Sequence, residues 1–273
     1  MSADRATRRL ALGLLLAGTA VGARADEPLW ELGLGAGWLR LPHYRGSNES
    51  HSWLLPVPYL VYRGKILRAD RDGARAVLFD GERVDFDLSV AGSPPTKSQD
   101  NRARAGMPDL APSFEIGPKL NLRLAQGKGW TVDLRVPVRA VVTLEARARV
   151  LGWNVEPLLN AGLEMGGYNV GLQAGPLWGD RRLHDHLYGV APAYATAERP
   201  AYAARAGYGG WQATAGFSRR FDRLWLGAFV RHDSVARAAF EASPLVKSRH
   251  NTALGVAASW VFFRSEARVP DPR

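Results

Sequence analysis

The sequence predicts an all-β protein, a transmembrane antiparallel up-and-down β-barrel of about 12 strands with long external loops. Three observations predict it. Apolar residues recur at every second position in runs of about 9–12 residues, which is the length of a tilted strand that crosses a bilayer. Tryptophan and tyrosine recur near the ends of these runs, as in interfacial aromatic girdles. A secretory leader precedes the runs.

The leader occupies residues 1–25. Arg5, Arg8 and Arg9 precede an apolar run at 10–20, and Ala23 and Ala25 provide the small residues that a signal peptidase reads. The run is shorter than the roughly 20 apolar residues of a spanning helix, which argues against a membrane anchor. We therefore predict a cleaved signal peptide at 1–25, a barrel at 26–263 and a disordered polar tail at 264–273.

Composition excludes several classes of protein. The chain has 273 residues, a formal net charge of +10 and no cysteine. The absence of cysteine excludes a disulfide scaffold, a thiol enzyme and a zinc–thiolate site. Removal of the leader leaves a net charge of about +7, and the basic residues are scattered rather than clustered. The sequence therefore indicates no nucleic-acid partner.

The strands are predicted in order from runs with period two. In the first, Trp30, Leu32 and Leu34 share one face and Glu31 and Gly33 share the other. Strands with the same alternation are predicted at 30–38, 84–90, 114–124, 132–138, 168–178, 211–217 and 252–263. The pattern is weakest around 64–80 and 145–162. An even number of strands is expected for a bacterial barrel.

A soluble β-sandwich also alternates, and it is the main structural alternative. Its polar face would lie on the outside. Charged residues of both signs crowd one face of several predicted strands, and the aromatic residues collect at strand ends. Both features favour the membrane barrel.

Three long segments alternate with tight turns and give the barrel its orientation. They lie at 91–112, 178–207 and 233–251 and are predicted to be external loops, since periplasmic turns are short. The aromatic and apolar content of the last two suggests that they pack over the barrel mouth. If these loops are external, basic loop residues could contact lipopolysaccharide phosphates, among them Lys97, Arg102, Arg104, Arg181, Arg182 and Arg205.

The N-terminal block resembles the MipA/OmpV family of outer-membrane proteins. The signature is a glycine-rich first strand, a Pro-Tyr-x-Gly-Ser turn and a Leu-Pro-x-Pro-Tyr strand that ends in Tyr-Arg-Gly. Matching residues are Pro42, Tyr44, Gly46, Ser47, Leu55, Pro56, Pro58, Tyr59, Tyr62, Arg63 and Gly64. The resemblance implies a barrel in the Gram-negative outer membrane. It further implies either a scaffold for a lytic murein transglycosylase and a murein synthase, or a porin-like protein.

Charged residues on the non-lipid face predict a network in the lumen. By strand parity it contains Arg83, Asp85, Asp87, Glu115, Lys119, Arg123, Asp133, Arg135, Arg139, Glu145, Arg147 and Arg149. One interpretation is a set of ion pairs that fills a narrow barrel. The other is a weakly anion-preferring pore, in which arginine and lysine select the solute.

Two short motifs contain side chains that could bind a metal or act in catalysis. His184, Asp185 and His186 could hold a metal if the segment were extended, but a solvated loop is the simpler interpretation. His232 and Ser234 would share a face of a strand, yet no oriented base or oxyanion hole is recognisable nearby. The sequence predicts no enzyme, no cofactor and no metal site.

The last strand ends on an assembly signal, Trp260, Phe262 and Phe263, which we expect the barrel assembly machinery to read at Phe262. The expected function is a non-enzymatic scaffold for murein-synthesising and murein-hydrolysing enzymes. A narrow porin-like channel is the alternative, because both functions need the same barrel.

Overall fold

The computed structural model describes residues 26–70 and 73–270. Its main element is a closed sheet of 12 antiparallel strands. They are β1 (Trp30–Pro42), β2 (Ser50–Arg63), β3 (Leu67–Asp70), β4 (Gly73–Asp80), β5 (Val84–Ser93), β6 (Ser113–Gly127), β7 (Trp130–Thr143), β8 (Val150–Val155 and Leu158–Met165), β9 (Tyr168–Gly179), β10 (Gly207–Phe221), β11 (Leu224–Ser234) and β12 (His250–Arg264).

Each strand pairs with its neighbours in the chain, and β12 pairs with β1 to close the wall. Strand β8 is interrupted at Glu156 and Pro157, but both of its segments pair with β7 and with β9. The predicted up-and-down barrel of about 12 strands is therefore confirmed. The segment at 145–162 was hard to predict because the proline interrupts its alternation.

Alternate residues of a strand face either the lumen or the surroundings of the barrel. In β12, Ala253, Ser259 and Val261 point inward and are at most 1% exposed, whereas Val256 and Trp260 point outward and are about half exposed. Most of the other strands also carry large, apolar, exposed residues on their outward faces. Such an apolar belt is the surface that a membrane barrel presents to lipid.

The β3–β4 hairpin is much shorter than its neighbours. Strand β2 has 14 residues, but only Tyr62 and Arg63 pair with β3. Strand β3 has four residues, which is too short for a sequence pattern to reveal a period of two. This hairpin explains the weak prediction at 64–80.

The first and last described residues lie with the short turns. Glu27–Pro28 pairs with Arg268–Val269, beyond the end of β12 at Arg264. The prediction of a disordered tail at 264–273 is wrong for residues 264–270, because β12 continues to Arg264 and Arg268–Val269 is held by a backbone ladder. Residues 271–273, like the predicted signal peptide at 1–25, lie outside the described residues.

The long segments lie at the opposite end and contain the helical elements. These are α1 (Arg181–Tyr188) and single 3-10 turns at Ser98–Asp100, Arg102–Arg104 and Pro192–Tyr194. Asp180 caps α1, since its side chain accepts a hydrogen bond from the Leu183 N–H. No helix among residues 26–70 and 73–270 is long and apolar enough to cross a membrane.

Candidate functional site: the lumen and its cap

One half of the lumen wall, from β5 to β8, is charged. Lys119 Nζ lies 3.3 Å from Asp87 Oδ2, and both side chains are buried. Asn121 donates a second hydrogen bond to the same carboxylate oxygen at 2.9 Å. Lysine and arginine on one strand thus stand beside carboxylates on the next, as with Lys119 and Asp87.

The charge network continues in both directions along the strands. Towards the short-turn end, Asp133 lies 3.3 Å from Arg123 and 3.7 Å from Arg135. Towards the long-loop end, Arg139 lies 3.7 Å from Glu115 and 3.8 Å from Glu156, the residue at the interruption of β8. Removing any one member would leave a charged partner with less compensation in a partly dry interior.

The structure brings together eight of the 12 predicted network residues: Asp85, Asp87, Glu115, Lys119, Arg123, Asp133, Arg135 and Arg139. It places the other four elsewhere. Arg83 lies in the exposed turn before β5. Glu145, Arg147 and Arg149 lie in the external loop between β7 and β8, where Glu145 and Arg149 form a surface pair at 3.0 Å. Strand parity fails for these three because β7 ends at Thr143.

A second ionic cluster lies at the short-turn end and was not predicted. Glu31 is 1% exposed, lies 3.0 Å from Arg63 and also contacts Arg220 and Arg264. These residues come from β1, β2, β10 and β12, so only the closed barrel brings them together. Glu31 is the one charged residue on the inner face of β1, which otherwise carries glycine and leucine, and this isolated acid was the available sequence signal.

The other half of the lumen wall is built from small and apolar residues. It lines a cavity of 600 Å³ between β1, β2 and β7–β12. Glycines remove side chains from much of this wall, while Leu55, Val57, Trp225 and Phe229 supply apolar surface. Arg135 lines both this cavity and a smaller one of 250 Å³ in the charged half. The lumen is therefore amphipathic.

Four external segments pack together across the mouth and form what we call the cap: residues 43–49, 94–112, 180–206 and 235–249. Its buried apolar core is Tyr44, Leu110, Tyr188, Val190, Ala204, Val235, Ala238, Phe240 and Leu245. These segments leave the strand ring at separate places, after β1, β5, β9 and β11, and meet in one core, so the cap spans the mouth. The expectation that the long loops pack over the barrel is met.

Specific contacts fix the cap. The Tyr188 and Phe240 rings stack with centroids 3.6 Å apart. The Tyr188 hydroxyl donates to the Arg45 carbonyl at 2.9 Å, and the Tyr44 hydroxyl donates to the Leu245 carbonyl at 2.7 Å. Burial raises the pKa of Tyr44 to about 12, so both phenols remain donors over the physiological range.

The cap is anchored in the lumen through Arg45. Its Nε lies 3.2 Å from Asp233 Oδ1, and Arg231 Nε lies 3.0 Å from the other oxygen, Oδ2. The Asp233 side chain is fully buried. The Arg45 contact is an ion pair without hydrogen-bond alignment, since both atoms lack a hydrogen-bond partner in the described structure. Asp233 thus joins the cap to the barrel wall electrostatically.

Most of the six basic loop residues remain exposed, but Arg104 does not. It is 2% exposed, and its guanidinium donates to the carbonyls of Leu187 and Pro108 within the cap. Its predicted contact with lipopolysaccharide is therefore wrong, because its donors satisfy orphan cap carbonyls instead.

The predicted His184–His186 segment is helical rather than extended. In α1 the two rings point to different sides. His184 is buried, its Nδ1 lies 2.7 Å from the Arg205 carbonyl, and burial lowers the pKa of its imidazole. Within the described residues, no group of three or more histidine, aspartate and glutamate side chains could hold a metal ion.

His232 and Ser234 share a face of β11, as predicted. The His232 ring lies 5.6 Å from the His250 ring, stacked, and 5.7 Å from Trp211, while Ser234 Oγ accepts from the Ala236 N–H at 3.4 Å. In the described part of the chain, these partners are structural and do not supply an oriented base or an oxyanion hole.

The predicted assembly-signal residues end β12. Trp260 and Phe262 are about half exposed on the apolar belt, and Phe263 is 66% exposed beside a bulge that follows Val261. Whether the assembly machinery reads them stays a prediction.

A match to a protein-family model assigns the chain to a family. The model described as "MltA-interacting protein MipA" matches residues 34–262. The chain belongs to the MipA family. The match begins within β1 and ends within β12, and so covers the barrel and the cap together. No curated protein sequence matches the chain.

Solved structures similar to this MipA-family chain are outer-membrane proteins of low identity. The COG4313 outer membrane channel from Pseudomonas putida F1 is 12% identical, with a TM-score of 0.46 over 89% of this chain and 98% of that one. The NanC porin is 6% identical, with a TM-score of 0.40 over 84% and 98%. Outer membrane phospholipase A from Escherichia coli is 11% identical, with a TM-score of 0.34 over 84% and 92%.

Proposed function

We propose that the protein is a non-enzymatic barrel of the Gram-negative outer membrane that holds a lytic murein transglycosylase, and with it a murein synthase, at its periplasmic end. The observation that carries the proposal is the cap, which packs four external segments around one apolar core across the mouth. A closed mouth suits an anchored platform better than a solute pore. The family description, MltA-interacting protein, supports the class of partner.

The platform would be the short-turn end. It presents the ordered pair of chain ends and five tight turns with exposed charges of both signs, among them Lys65, Lys128, Asp222, Arg223 and Arg268. Beneath it, Glu31 and its arginines hold the ends of four strands. A rigid, polar surface of this kind resembles the rim of a transient protein interface.

Co-purification from chemically crosslinked envelopes tests the scaffold. We expect a murein transglycosylase to be captured, and capture to fall when Lys65, Lys128 and Arg223 are changed to glutamate. A matched control changes three exposed basic residues at the opposite end, Lys97, Arg181 and Arg182, to glutamate and should leave capture unchanged. Absence of murein enzymes from the wild-type eluate would rule the scaffold out.

A narrow channel is the second candidate, and the amphipathic lumen favours it. The cavities of 600 and 250 Å³ share Arg135, Thr131 and Gly162 and so form a connected interior. The network predicts that any conductance of the wild type is small and weakly anion-selective. Large cation-selective steps in planar bilayers would contradict this account of the lumen.

A further inference from the structure

One sector of the barrel wall lacks a strand-to-strand ladder. Among the described residues, the edge of β2 that faces away from β1 has no partner from Ser50 to Val61. Across the gap, β5 pairs with β4 only up to Ser89, so its last residues, Val90–Ser93, are also unpaired on that side.

The gap is framed on all four sides and is therefore a window. Strands β2 and β5 form its sides, and the short β3–β4 hairpin forms its lower edge. Above it, the cap joins the two sides. The Thr96 hydroxyl donates to the His43 carbonyl at 2.7 Å, and Asn101 Nδ2 donates to Ser47 Oγ at 3.1 Å. The Arg102 N–H donates to Glu49 at 2.9 Å, so the upper edge is fixed.

The sequence of β2 fits an edge that never pairs. The Arg63 N–H donates to the Leu29 carbonyl on the β1 side, so odd-numbered residues of β2 direct their polar groups to β1. The even-numbered residues, which include Pro56 and Pro58, direct their backbone groups to the opposite side, into the window. Proline has no N–H, so neither residue offers a donor there. Two adjacent donor positions are thus deleted from the open edge, which argues against pairing with a second strand.

The window connects two apolar surfaces. Leu54 points outward and is 79% exposed, the highest exposure of any large apolar residue in the described chain. Leu55 points inward and is still 43% exposed, and together with Val57 it lines the 600 Å³ lumen cavity. The cavity therefore extends to the strand whose edge is open.

Unpaired backbone cannot face hydrocarbon without partners, because each unsatisfied group costs several kcal/mol there. The remaining carbonyls of the β2 edge need water or a polar group, while Leu54 and Leu55 need apolar contacts. We propose that the window admits the acyl chain of a single-chain membrane amphiphile, whose head lies at the wet edge and whose chain lies against Leu55 and Val57. The capped barrel would then take its ligand sideways from the membrane.

The cysteine-free chain allows a direct test. Leu55→Cys is labelled with bimane and reconstituted in phosphatidylcholine bilayers that contain a lysophospholipid brominated in mid-chain. We expect bimane fluorescence at this inward position to be quenched at least about two-fold, as heavy atoms quench on contact. Val57→Cys serves as a second window position if Leu55→Cys does not show heat-modifiable migration.

Two matched controls interpret the result. Asn121→Cys is inward but lies in β6, which is paired on both sides, and it lines only the smaller charged cavity, so it should not be quenched. Val256→Cys is outward in β12 and should be quenched by any brominated chain. Quenching at 55 or 57 as strong as at 256 supports the window. Quenching at 55 and 57 as weak as at 121 overturns it, whether the bromine is carried by one-chain or two-chain lipid.

Discussion

Asp233 shows how one buried side chain joins two parts of the molecule. It lies in β11, is fully buried, and faces Arg231 from its own strand and Arg45 from the cap. A buried carboxylate is tolerated only if cations compensate its loss of hydration. Because the two cations come from the wall and from the cap, the residue couples closure of the mouth to the folded barrel.

Asp233→Asn should therefore lower the free energy of unfolding by about 3–5 kcal/mol, since two partly buried guanidiniums lose their counter-charge. Urea titration of the reconstituted barrel, followed by heat-modifiable migration, measures the change. Glu145→Gln is the control, because it removes only an exposed pair with Arg149 and should cost less than about 1 kcal/mol. Equal effects of the two substitutions would contradict the coupling.

His184 makes the cap sensitive to acid. Burial lowers the pKa of its imidazole below the ordinary value of 6.5, so the folded cap prefers the neutral ring. A depressed pKa contributes stability that is present above pH 6.5 and is lost as pH falls through the folded pKa. The cap should thus loosen under acid and not under alkali.

Limited proteolysis of the external loops measures this loosening. Cleavage within 180–206 should accelerate between pH 7.5 and pH 5. His184→Asn, whose amide can replace Nδ1 as donor to the Arg205 carbonyl, should weaken that acceleration. His250→Gln changes an exposed ring outside the cap and should retain it. Identical acid profiles for wild type and His184→Asn would refute a role for this residue.

At the scale of elements, strands with one apolar face could be predicted and the β3–β4 hairpin could not. Strands β7, β9 and β12 alternate over 12 or more residues, so local pattern alone fixes their inner and outer faces. The hairpin is too short for a pattern. Parity also fails beyond a strand end, where it assigned Arg147 and Arg149 to the lumen although they lie in a loop.

The open edge of β2 yields a prediction of its own. Pro56→Ala combined with Pro58→Ala restores two N–H groups to the edge, which then resembles an ordinary unprotected strand. We expect the double variant to form crosslinkable dimers or aggregates at concentrations where the wild type is monomeric, as measured by light scattering in detergent. Pro137→Ala, within the paired strand β7, is the control. A double variant that stays as monomeric as the control would exclude edge protection by proline.

At the scale of the whole molecule, the ionic clusters and the cap depend on ring closure. Glu31 and Arg220 are far apart in sequence and meet only because β12 pairs with β1. Tyr44, Tyr188 and Phe240 come from three different loops, and no pattern within one loop indicates their contact. The sequence therefore predicts the barrel, its orientation and a crowded mouth, but the particular partners follow from topology.

The packing of the cap gives a prediction for the closed state. Phe240 is 1% exposed and stacks on Tyr188, so Phe240→Ala should weaken the cap by about 3–5 kcal/mol. Tyr194→Ala, in an exposed turn of the same cap, is the matched control. Only the first substitution should open the mouth.

Planar-bilayer recording of these proteins tests the central claim, that the cap closes the barrel, most directly. The account predicts no stable conductance, or only small, weakly anion-selective steps, for the wild type and Tyr194→Ala, and frequent larger openings for Phe240→Ala. Large, steady steps from the wild type, unchanged by Phe240→Ala, would contradict it.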